Sequence, residues 1–123
     1  MRSSDEAILI VETDDPTREL YVRELSRDYR VFACADEHAA LAILREQHIC
    51  AVVLEPARPD GRGWALLITF KQTHGTRSIP VILCSTLDER KRGMELGASA
   101  YLVKPVLPTT LIEALRQVTV QPG

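Results

Sequence analysis

Ala51-Val52-Val53-Leu54-Glu55-Pro56 sets four apolar residues in a row, then a carboxylate, then a proline. Four apolar residues without polar alternation predict a strand covered on both faces, as in a parallel sheet. Glu55 then stands at the carboxyl end of that strand, the edge of an open α/β sheet where ligands and chemistry collect.

Four more segments read as strands. Ala7-Ile8-Leu9-Ile10-Val11 predicts a buried first strand that ends on Glu12-Thr13-Asp14-Asp15. Tyr29 to Cys34 alternates enough for a strand at a sheet edge. Val81 to Cys84 predicts a fourth strand ending at Ser85-Thr86, and Ala100 to Val103 a fifth ending at Lys104-Pro105.

The segments between them carry helical spacing. Asp15 before Pro16 suits a helix cap, and Leu20, Tyr21 and Leu25 share a face of a first helix ending near Arg27. Asp36 caps a second helix with Ala40, Ile43 and Leu44 inward. After the loop Pro56 to Gly61, residues Gly63, Leu66, Leu67 and Phe70 line a third, with Trp64 beside its buried face. Asp88 opens a short charged fourth helix from Glu89 to Leu96, closed by Gly97. Pro108 and Thr109 start a last helix with Leu111, Ile112, Leu115 and Val118 on one face. Gln121-Pro122-Gly123 reads as a tail.

Strands alternating with helices imply a mostly parallel sheet with helices on both faces, because parallel neighbours need right-handed crossovers. The expected architecture is a three-layer α/β/α (βα)5 domain of strand order 2-1-3-4-5, the flavodoxin-like arrangement, with its switch point between strands 1 and 3. That order brings Glu12, Thr13 and Asp14 beside Glu55, with Ser85, Thr86 and Lys104 arriving from the next two strand ends. At 123 residues the chain is read as one domain, 1–123, with its core over 7–118.

Composition limits what such a domain does. The formal net charge of -2 gives no basic field for nucleic acid. Neither a signal-type N-terminus nor an apolar run of membrane-spanning length occurs, so the expected location is cytoplasmic, with no membrane partner. Cys34, Cys50 and Cys84 form no close pair and are read as reduced, buried small residues. His38, His48 and His74 are read as surface residues.

The cluster of acids, hydroxyls and a lysine at one sheet edge resembles the receiver domain of bacterial two-component response regulators. The resemblance runs from Ala7 to about Val118. Its motifs are Ile8-Leu9-Ile10-Val11-Glu12 with Pro16 and Arg18, the loop Pro59-Asp60-Gly61 with Gly63, Ile79-Pro80-Val81-Ile82, and Gly97-Ala98 followed by Tyr101-Leu102-Val103-Lys104-Pro105. In that family an aspartate ending strand 3 takes a phosphoryl group from a histidine kinase, and Mg²⁺ is held by it and by two acids after strand 1. Carried over position by position, the phosphoacceptor falls on Glu55, the acidic pair on Glu12 and Thr13, the hydroxyl on Ser85 with Thr86 beside it, the switching aromatic on Tyr101 and the lysine on Lys104.

Two positions depart from the pattern, and both bear on chemistry. Glu55 is longer than aspartate by one methylene, which moves its carboxylate toward Lys104, and positioning errors of about 1 Å cost some 10²-fold in rate. Thr13 removes an anionic oxygen; Asp14 is the remaining candidate to supply it, so the metal set is read as Glu12, Asp14 and Glu55 with Mg²⁺ binding weakened or lost. A carboxylate near Lys104 partly resembles a phosphorylated aspartate, with about one negative charge where a phosphoryl carries nearer two.

The resemblance therefore implies a pseudo-receiver: a binding module and not an enzyme, signalling through a protein partner such as a histidine kinase, an output domain or a second copy of the chain. The expected contact surface is Asp88 to Leu96, Tyr101 and the last helix. Two rival readings remain. A conventional Mg²⁺-dependent receiver would be phosphorylated on Glu55, or on Asp60, which is otherwise an ordinary turn residue. A flavodoxin-like binder of small phosphates would meet repulsion from Glu12, Asp14 and Asp15. Tyr101 is read either as a strand aromatic with its hydroxyl in water or as a switch.

Overall fold

The apolar runs become five parallel strands: β1 (Ala7–Val11), β2 (Arg30–Cys34), β3 (Ala51–Leu54), β4 (Val81–Ser85) and β5 (Ala100–Val103). Each is followed by a helix: α1 (Asp15–Leu25), α2 (Glu37–Glu46), α3 (Arg62–Gln72), α4 (Arg90–Glu95) and α5 (Pro108–Thr119). The structure, a computed structural model, describes residues 6–57 and 60–119. Arg58 and Pro59 of the loop after β3, and the segments 1–5 and 120–123, lie outside the described residues.

The sheet order is β2-β1-β3-β4-β5, as the sequence predicts, with β1 in register with both β2 and β3. Alternate residues of each strand face opposite sides. Leu9, Val52, Leu54 and Leu83 pack with Ala40 of α2 and with Trp64, Leu67 and Phe70 of α3. Ile8, Ile10, Val53 and Ile82 pack with Tyr21 and Leu25 of α1 and with Leu111 and Leu115 of α5. The result is two apolar layers, one on each face of the sheet.

Three boundaries differ from the sequence reading. The cap of α1 is Asp14 and not Asp15: its backbone is extended and its carboxylate accepts from the Thr17 amide at 3.1 Å and from the Thr17 hydroxyl. Either aspartate is chemically able to cap, and the one whose side chain reaches the third helical amide wins. The helix also ends at Leu25, where the Ser26 amide donates to Val22, so Arg27 falls beyond it. α4 runs from Arg90 to Glu95, one residue shorter at each end than the expected Glu89 to Leu96, and at its start the Tyr101 hydroxyl takes the Glu89 amide at 3.1 Å and holds Leu87 to Glu89 in a loop.

Gly97 follows the end of α4 with φ 103°, and the Ala98 amide bonds back to the Gly93 carbonyl, which closes the helix. His38, His48 and His74 are exposed, while Cys34 and Cys84 are buried and Cys50 is half-buried. No helix among the described residues is long and apolar enough to cross a membrane.

Candidate functional site

The carboxyl ends of β1, β3 and β5 deliver Glu12, Glu55 and Lys104 to one point. The Lys104 ammonium lies 2.7 Å from Glu12 Oε1 and 2.9 Å from Glu55 Oε1. Strands stand about 4.8 Å apart, and β4 separates β3 from β5. The lysine arm therefore crosses the end of β4 to reach its two partners. The Lys104–Pro105 peptide is cis.

Each glutamate's second oxygen is taken by the backbone. Glu12 Oε2 accepts from the Asp14 amide at 3.1 Å, and Glu55 Oε2 from the Ala57 amide at 3.0 Å. Arg18 braces the turn after β1 by donating to the Glu12 carbonyl at 2.8 Å while pairing with Asp15. The Glu55 side chain has no exposed surface, that of Glu12 keeps 3% and that of Lys104 12%. Buried charges of this kind persist only when paired and hydrogen-bonded.

Burial is the largest influence on Lys104 and pulls its pKa down, but hydrogen bonds and charge from Glu12 and Glu55 outweigh it, leaving the ammonium's pKa above the ordinary 10.5. Two neighbours feel the cluster. The buried thiol of Cys84 is pushed up to about 12, by burial first, with Lys104 opposing. The Tyr21 phenol, on the α1 face, is raised by burial and then by Cys84, Glu12 and Glu55.

Other residues named from sequence fall around this core. Ser85 is fully buried at the end of β4, with its hydroxyl accepting from the Leu87 amide at 3.2 Å. Thr86 is exposed and, with Glu12, Thr13, Asp14, Thr17 and Lys104, lines a cleft of about 360 Å³. Asp60 lies exposed in the turn before α3, where it pairs with Arg62 at 3.0 Å. Tyr101 is buried, and its hydroxyl donates to the Leu87 carbonyl and accepts from Glu89. The reading that left this hydroxyl in water is thereby overturned: Gly93 lets α4 approach so closely that a Cβ there would lie 2.8 Å from the Tyr101 ring, so the ring is roofed over.

The metal set read as Glu12, Asp14 and Glu55 does not fit a divalent ion in this arrangement. All four oxygens of the two glutamates already have partners, and Asp14 Oδ2 is committed to Thr17. Among the described residues, no group of three or more His, Cys, Asp or Glu is placed to hold a metal ion. Sequence reasoning missed one contributor. Arg18 was visible only as a motif residue, and its bond to the Glu12 carbonyl in the turn after β1 has no local signal; Tyr21, visible as a core aromatic, is a buried neighbour of the cluster.

A family model described as the response regulator receiver domain matches residues 8–116. A probable transcriptional regulator ycf27 from Porphyridium aerugineum is 31% identical over 92% of this chain and 48% of its own length. The phosphate regulon transcriptional regulatory protein PhoB of Escherichia coli is 30% identical over 90% of this chain and 50% of its own. The chain thus spans about half the length of these relatives. Among solved structures, the N-terminal signal receiver domain of a two-component response regulator from Bacteroides fragilis superposes with a TM-score of 0.87, at 25% identity over 97% of this chain and 100% of that one. The chain belongs to the response regulator receiver domain family of two-component signalling.

Proposed function

We propose that this chain is a pseudo-receiver that signals in the cytoplasm by binding a protein partner, without enzymatic activity and without a phosphorylation cycle at Glu55. The observation that carries this reading is the state of Glu55. Its side chain has no exposed surface, one oxygen bridges to Lys104 and the other is held by the Ala57 amide. A phosphodonor needs an exposed carboxylate oxygen with a free lone pair in line with the breaking bond. Glu55 exposes no oxygen to such an approach, and both of its oxygens are already held in place.

The same contact supports a fixed signalling conformation. At about 4 Å and an effective dielectric near 20, one such pair has about 4 kcal/mol of gross attraction, most of which desolvation takes back. Its value lies in geometry: Lys104 is held down, and Tyr101 is turned in and fastened to the loop ahead of α4. The face formed by α4, Tyr101 and α5 is then presented in one form to a histidine kinase, an output domain or a second copy of the chain.

Incubation with acetyl phosphate and Mg²⁺, followed by intact-mass measurement, tests the reading. The expected result is no gain of a phosphoryl group, with labelling recovered in the double variant Glu55→Asp, Thr13→Asp. Phosphate found on Glu55 or Asp60 of the unaltered chain would sink it.

A further inference from the structure

Two buried carboxylates converge on a single cationic point, and that point is filled from within the chain. Glu12 Oε1 and Glu55 Oε1 lie 2.7 and 2.9 Å from the same nitrogen. We propose that the Lys104 ammonium is the resident cation of this edge: it occupies the position between Glu12 and Glu55 that a divalent ion would take, so the chain excludes Mg²⁺ until the lysine charge is removed.

Three observations carry this. First, the lysine is committed to the site, with 12% of its side chain exposed and both short contacts made to the acid pair. Second, the other oxygens of the pair are held by the Asp14 and Ala57 amides, so the carboxylates are aimed at the ammonium by the backbone and cannot turn away without losing those bonds. Third, a cleft of about 360 Å³ bordered by Glu12, Thr13, Asp14 and Lys104 opens beside the cluster, so a hydrated ion has room to reach it. The cleft borders the Glu12 and Lys104 side of the cluster, and the lysine fills the place between the two acids.

Charge and size give the consequence. Glu12 and Glu55 carry two negative charges and Lys104 returns one, so a divalent ion entering beside the ammonium would face a like charge in a poorly solvated site. With the ammonium gone, two buried carboxylates are left without a counter-charge. Mg²⁺ binds oxygen at about 2.0–2.1 Å, so the pair needs to close by less than about 1 Å to grip it, with waters from the cleft completing the shell. The lysine and the ion are thus alternative occupants of one place.

This deepens the reading of an unphosphorylated site but is read out separately from it. The test is titration of the folded chain with Mn²⁺, followed by electron paramagnetic resonance, and with Mg²⁺, followed by calorimetry. The wild-type chain should show no saturable one-to-one binding. Lys104→Met should bind one ion per chain at least about tenfold more tightly, equivalent to about 1.4 kcal/mol. Lys104→Arg, which keeps the charge, should still exclude it, and adding Glu55→Gln to Lys104→Met should abolish the gain. If Lys104→Met unfolds alone, folding restored by Mn²⁺ supports the proposal, and failure of Mn²⁺ to restore it overturns it. One-to-one binding to the wild-type chain that Glu12→Gln removes also overturns it. A wild-type chain that binds metal yet takes no label from acetyl phosphate would overturn this inference and leave the pseudo-receiver reading standing.

Discussion

The guanidinium of Arg92 lies 4.2 Å from the centre of the Trp64 ring, so α4 is stacked on α3 through the chain's one tryptophan. Arg92 is about half exposed and also pairs with Glu89 at 3.3 Å, whereas Trp64 is buried. A contact of this kind is worth about 0.5–1 kcal/mol at an exposed site. Arg92→Ala should therefore leave the fold intact, lower stability by no more than about 1 kcal/mol, and change the intensity of Trp64 fluorescence. An unchanged emission spectrum would show that α4 does not sit on the indole in solution.

The Tyr101 hydroxyl offers a second handle on the same helix. It satisfies both the Leu87 carbonyl and the Glu89 amide. Tyr101→Phe keeps the ring and removes both bonds, at a cost of about 1 kcal/mol. The Glu89 amide should then exchange with solvent faster by roughly the factor of 5 that such an energy implies, while amides in β1 and β3 keep their protection. Equal acceleration across the sheet would indicate global destabilisation and no local latch.

Two glycines separate backbone crowding from side-chain crowding. Alanine normally favours a helix interior over glycine by about 1 kcal/mol. At Gly93 the added Cβ would lie 2.8 Å from the Leu83 and Tyr101 side chains; at Gly63 it would lie 2.5 Å from the Glu55 carbonyl oxygen and the Pro56 Cα. Side-chain ends yield more readily than backbone. Gly93→Ala should cost about 1–3 kcal/mol and Gly63→Ala more, by urea denaturation. The reverse order would mean that the segment after β3 moves freely relative to α3.

Alkaline pH should loosen the fold in stages. Cys84 and Cys34 have thiols pushed by burial from 9.0 up to about 12 and about 11, so the folded chain keeps protons that the unfolded chain gives up. Stability then falls as pH rises above about 9. Lys104 follows: its folded pKa lies above 10.5, so its contribution is complete below that value and is lost as pH climbs through the raised one. Lys71, pulled down by burial, acts in the opposite direction and softens the decline. Urea midpoints should hold to about pH 9 and then drop; in Lys104→Gln the part of the fall above 10.5 should shrink. A midpoint that rises with pH in this range would contradict the assignment.

The fold was legible because its strongest signals are local. Runs such as Ala51 to Leu54 and Val81 to Cys84 contain no polar residue, and helices of period 3.6 separate them, so strand count follows from the pattern, and the order from the flavodoxin-like arrangement that such alternation fits. The site was legible in membership but not in arrangement. Glu12, Glu55 and Lys104 are placed at one edge by topology, yet nothing local says that one ammonium serves both acids or that the Glu55 side chain is fully buried. Asp14 and Asp15 are equivalent by type, and only the extended backbone at Asp14 chooses between them. Tyr101 reads the same from sequence whether its hydroxyl is wet or held, because the Leu87 carbonyl that receives it lies fourteen residues away.

A counter-ion joined to the chain by covalent bonds behaves differently from one drawn from solution. It cannot be diluted or chelated, and its occupancy does not follow the magnesium content of its surroundings. On the proposed role of Lys104, the conformation presented at α4 would be inherited at folding, and the strength of a signal would be set by how many copies are made and how long each one lasts.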